Sequence, residues 1–154
     1  MNARAIILTA LVGLLGTSAC LAADASMGTW KLNEAKSTIA PGAPKNNTVV
    51  IAAAGDKVKI TVDGVAGDGK PAHNEWTGMY DGKDYPVTGD PTTDTRAYKK
   101  VDDRTVELTN KKAGKTTTTG RIVVSADGKS RTVTVSGTSP DGKKVSVNAV
   151  YDKQ

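Results

Sequence analysis

One tripeptide recurs four times along this 154-residue chain, as Asp68-Gly69-Lys70, Asp81-Gly82-Lys83, Asp127-Gly128-Lys129 and Asp141-Gly142-Lys143. Asp-Gly suits tight hairpins because both residues tolerate positive φ. Gly55-Asp56 and Ala113-Gly114 mark two further turns. A calcium loop would need several acids at alternating positions and a distal Glu, so the repeat reads as turn punctuation. The runs between the turns mostly alternate. Val58, Ile60 and Val62 oppose Lys57, Lys59, Thr61 and Asp63, while Val145, Val147, Ala149 and Tyr151 oppose Lys144, Ser146 and Asn148. Period-two patterning with one polar face belongs to an antiparallel sheet with one face in water.

The spacing predicts strands near 48–53, 57–63, 72–80, 85–88, 93–100, 105–110, 116–125, 131–138 and 144–151, with a first strand at Gly28-Thr29-Trp30-Lys31-Leu32-Asn33. Consecutive hairpins favour an up-and-down order, and closing the sheet removes its sticky edges. The predicted fold is therefore all-β, an antiparallel up-and-down β-barrel of about ten strands. Pro41, Gly42 and Pro44 forbid a long helix after the first strand. At most one helical turn fits around Asn33 to Lys36, followed by a loop crossing one barrel end. Gly28 lets the backbone pass close there, and the Trp30 indole is placed to plug that end.

The start of the chain reads differently. Arg4, the apolar run Ala5 to Leu15 and small residues up to Ala25 form a secretory signal helix. The domain boundaries expected are a signal peptide over 1–25 and a single barrel domain over 26–154. Ala19, Ala23 and Ala25 all offer the small residue a signal peptidase needs. Cys20 offers a second route, lipidation, although Thr17 stands where bacterial lipoprotein signals usually carry Leu. The protein is expected to be periplasmic or secreted, or lipid-anchored to the envelope if Cys20 is modified. Cys20 is the only cysteine, so the barrel has no internal disulfide and is held by its own core. A net charge of +5 is spread over turns, usually beside an Asp, without the basic stripe and interleaved aromatics of a nucleic-acid binder.

Gly28-x-Trp30 on the first strand, ten predicted strands, and the closing Val150-Tyr151-Asp152-Lys153 resemble the calycins, the superfamily of lipocalins and fatty-acid-binding proteins. More narrowly, the chain resembles exported bacterial lipocalin-like proteins, a group that implies no particular ligand. Two departures stand out. The segment after the first strand is too short for the two-helix lid of fatty-acid-binding proteins. Their last strand carries Arg-x-Tyr to clamp a ligand carboxylate, whereas the matching positions here are Ala149 and Tyr151. An equivalent grip requires Arg131, Arg121 or Arg96 to point inward.

Trp76 and Tyr80, four residues apart on one face of their predicted strand, are candidates to line a cavity, with Tyr151 and Arg131 as further ligand contacts. Tyr151 serves equally well as a structural hydrogen-bond partner. His73 and Glu75 share a face, but two ligands fall short of a durable zinc site, and the pair reads as surface polarity. Thr116 to Thr119 reads as half of an exposed strand pair. No catalytic residue, metal or cofactor is expected, since the lone His lacks a recognisable Ser and Asp constellation. The sequence points to an exported, monomeric, non-catalytic barrel that binds a small hydrophobic or amphipathic molecule or lipid. The competing reading is a filled barrel serving as a structural or protein-interaction module of the envelope.

Overall fold

The computed structural model describes residues 24–154; residues 1–23 of the segment expected to be a signal peptide, with Cys20, lie outside the described residues. The alternating runs form ten strands: β1 (Gly28–Ile39), β2 (Lys45–Ala54), β3 (Lys57–Val65), β4 (Pro71–Gly78), β5 (Asp81–Thr88), β6 (Thr95–Lys100), β7 (Thr105–Lys112), β8 (Lys115–Val124), β9 (Ser130–Thr138) and β10 (Lys144–Lys153). Each pairs antiparallel with its sequence neighbours, and β1 pairs with β10, so the sheet closes into the barrel the patterning predicts. No helix occurs among the described residues.

The inward set of each run becomes the core. Val49, Ile51, Ile60, Val62, Val106, Leu108 and Val124 pack inside with Trp30 and Trp76, the two most deeply buried large side chains. Burying one such aliphatic side chain contributes roughly 1.5–3 kcal/mol. That apolar interior offsets the ordering of a chain made almost wholly of strands and short turns.

Three of the four Asp-Gly-Lys tripeptides sit in hairpin connections, at β3–β4, β8–β9 and β9–β10, each with its glycine at positive φ. In the first two the aspartate carboxylate accepts the lysine backbone N–H, at 3.1 Å for Asp68 and 3.0 Å for Asp127. The fourth departs from expectation. Asp81 already belongs to β5, and the β4–β5 connection is made by Met79 and Tyr80. Gly82, at φ +79°, instead accommodates a bulge against β6, where the register shifts between Asp81 and Asp84. A positive-φ glycine serves a bulge as readily as a turn.

The helical turn expected near Asn33 is absent, and β1 continues to Ile39 through a wide bulge. Asn33 pairs with Val150 and Thr38 with Asn148, so Glu34 to Ser37 face Ala149 alone. Ser37 Oγ donates to the Asn33 carbonyl at 2.7 Å and accepts the Val150 N–H at 2.9 Å. Asn33 Nδ2 donates to Asp152 at 2.7 Å. These bonds take up the polar groups that the bulge removes from the ladder, and the predicted loop shrinks to residues 40–44. The weakest seam is β4–β5, paired only at Glu75–Thr88 and Trp76–Val87.

Candidate functional site

One end of the barrel gathers most of the residues singled out in the sequence. Trp30 is fully buried there, and its Nε1–H donates to the Ser26 carbonyl at 2.7 Å. Gly28 adopts φ +117°, and a Cβ at this position would lie 2.9 Å from Lys153 Cε. The missing side chain lets Lys153 fold over β1, with its ammonium 5.1 Å from the Trp30 ring centroid. Residues 24–27, preceding β1, cross this end as a strap. Ser26 is buried within it, and its hydroxyl lies 3.4 Å from Tyr80 OH.

Arg131 lies on β9 directly across from Tyr151 on β10. Its guanidinium carbon stands 4.8 Å from the Tyr151 ring centroid and 5.2 Å from that of Trp30, close enough for cation–π attraction to both. The side chain is buried, no carboxylate pairs with it among the described residues, and its Nε has no hydrogen-bond partner. Burial pulls its pKa below the usual guanidinium value, an effect opposed by the phenols of Tyr151, Tyr98 and Tyr80.

The other two arginines singled out in the sequence, Arg96 and Arg121, are satisfied. Arg96 also points inward, but its Nε donates to Asn110 Oδ1 at 2.6 Å and its Nη2 lies 3.6 Å from Asp90. Arg121 faces outward, 3.4 Å from Glu107. Arg131 is therefore the inward-facing arginine whose charge is not already paired.

Trp76 and Tyr80 are brought together, though not on one strand as the spacing predicts. Tyr80 follows the end of β4, and the tight connection turns its ring back to stack on Trp76 at 6.3 Å. Tyr98 and Tyr85 meet Trp76 edge-on at 4.7 and 5.7 Å, and Trp76 Nε1 donates to the Arg96 carbonyl at 2.9 Å. Between this cluster and Arg131 lies a cavity of about 100 Å³ whose lining includes Tyr80, Tyr98, Tyr151, Arg131 and Ser26. The aliphatic wall opposite comes from strands β2, β3, β7, β8 and β9, with Val49, Ile60 and Val133 among its members.

Tyr98 and Ser26 were not among the predicted contacts. Tyr98 was legible, since it alternates in phase with Arg96 and Tyr98 and Arg96 must share a face. Ser26 carries no such signal, because it precedes the first strand.

Burial pushes the Tyr80 and Tyr151 phenols up to about 12, countered in part by Ser26 for the first and by Arg131 for the second. A phenol whose folded pKa lies above its unfolded value stabilises the fold fully below pH about 10. That contribution, roughly 2–3 kcal/mol for each tyrosine, is lost as the pH rises through about 12. Ultraviolet titration of the phenols should show Tyr80 and Tyr151 ionising late, and urea midpoints should fall steeply between pH 10 and 12. Ionisation of Tyr80 and Tyr151 near 10 would contradict the buried placement.

His73 stands on the outer surface with Nδ1 2.6 Å from Asp63 Oδ1 and Nε2 3.8 Å from Glu75, which is itself held by Lys59 at 2.8 Å. No group of three or more metal-ligating side chains assembles among the described residues. Thr118 departs from the exposed reading of its run, being buried as acceptor of Asn110 Nδ2 at 2.9 Å.

No protein-family model and no curated protein matches the sequence. Among solved structures, the chain is similar to a redesigned β-barrel, mFAP1, bound to DFHBI, at 17% identity and a TM-score of 0.46, over 84% of this chain and 95% of that one.

Proposed function

We propose that this protein is an exported barrel, periplasmic or secreted, that binds a small amphipathic anion in its interior. The observation that carries this reading is Arg131, a buried cation facing a cavity with no acidic partner among the described residues. A buried charge held only by two ring faces leaves most of its five N–H donors for a ligand. A carboxylate matches that fork with two parallel charge-assisted bonds. The Tyr80 and Tyr151 hydroxyls supply further polar contacts, and the aliphatic wall takes the apolar part of the ligand.

Size restricts the class. A cavity of about 100 Å³ falls well below the roughly 300–1,000 Å³ of drug-sized sites and is nearer the ~150 Å³ that accommodates benzene. The ligand is therefore a short-chain carboxylate, since even a single ring needs more room than this cavity gives, and a long lipid chain does not fit this conformation. The same small volume favours the competing reading of a filled interaction module. Calorimetric titration with sodium butyrate, against butyramide, decides between them. Saturable binding of butyrate but not of butyramide is expected; no heat from either would favour the filled barrel.

A further inference from the structure

The strap at the barrel mouth bears on how the exported chain is processed. Ala19, Ala23 and Ala25 each offer a small residue for leader cleavage, and the strap distinguishes among them. Asp24 holds it from both sides: its carboxylate accepts the Ser26 N–H at 3.0 Å, and its carbonyl accepts the Met27 N–H at 2.9 Å. Ala25 and Met27 pack against the core. Ser26, 5% exposed, presents its carbonyl to the Trp30 indole and its hydroxyl to Tyr80.

From this geometry we infer that the leader is removed on the N-terminal side of Asp24, so that residues 24–27 remain in the mature protein as a fixed closure of the mouth. The inference rests on the export reading above. Cutting after Ala25 would convert the Ser26 amide into an ammonium while removing Asp24, the acceptor that satisfies it. The new charge would line the cavity that already holds the unpaired Arg131. Two like charges in a poorly solvated space oppose each other and the fold. Cutting after Ala23, or lipidation at Cys20, leaves every bond of the strap intact.

Expression of the full chain with its leader, followed by intact mass and N-terminal sequencing of the exported product, tests this. A mature chain starting at Asp24 or upstream of it, including one starting at a lipidated Cys20, is the expected result. A chain starting at Ser26 would overturn the inference and leave export standing, whereas a chain still starting at Met1 would overturn both. A second measurement reads the strap itself. Deleting Asp24 and Ala25 from the full chain should lower the melting temperature of the exported barrel by roughly 5 °C or more. An unchanged melting temperature would refute the role given to the strap.

Discussion

Trp76→Ala is expected to remove roughly 3–5 kcal/mol of stability, the usual cost of truncating a large aromatic in a packed core. For a small domain whose total stability is about 5–15 kcal/mol, this approaches unfolding. The indole is 1% exposed and contacts three tyrosine rings, two edge-on and one stacked. Losing it also strands the Arg96 carbonyl, which accepts its N–H. The neighbouring seam makes the position more sensitive, because Trp76–Val87 is one of only two pairs joining β4 to β5. Tyr80→Ala should weigh less on stability, since Tyr80 is less deeply buried than Trp76 and its hydroxyl partner Ser26 keeps other bonds. Urea denaturation followed by far-ultraviolet circular dichroism compares the two. A loss below about 1 kcal/mol for Trp76→Ala would mean that the aromatic cluster does not hold the barrel closed.

The barrel was legible because its information is local and periodic. Val58, Ile60 and Val62 declare a face by alternation alone, and Asp-Gly declares a turn by backbone freedom. Both failures at strand level arise where one local signal serves two geometries. Gly82 reads as a hairpin turn and is a bulge inside β5; Asn33 to Lys36 reads as a helical turn and is a bulge inside β1. The cross-strand bonds of Ser37 to Val150 and of Asn33 to Asp152 decide the second case, and both reach across more than a hundred residues.

The candidate site was legible only in part for the same reason. Alternation puts Arg131 in phase with Val133 and Val135, hence inward. Whether its charge meets a carboxylate depends on which side chains other strands deliver to it. Arg96 looks identical in sequence, yet Asp90 and Asn110 reach it and leave it satisfied. Ser26 completes the mouth from outside the periodic region altogether, where no pattern announces it.

Arg131→Met is expected to act in opposite directions on binding and on stability. In the empty barrel the arginine gives up its hydration and regains attraction to two rings, about 0.5–2 kcal/mol each. Desolvating an unpaired charge costs several kcal/mol. Methionine fills a similar volume without that penalty, so the variant should be more stable than the parent by about 1 kcal/mol in urea denaturation without ligand. Binding of butyrate should fall at least 100-fold, roughly the loss of two charge-assisted hydrogen bonds. Arg131→Lys keeps the charge but loses the planar fork, and should retain binding weakened about tenfold. A methionine variant that is destabilised and binds butyrate as the parent does would instead make Arg131 a clamp between Trp30 and Tyr151. Stability and affinity must be read together, because either alone moves with packing; only a gain in one with a loss in the other identifies a cation held in place for a ligand.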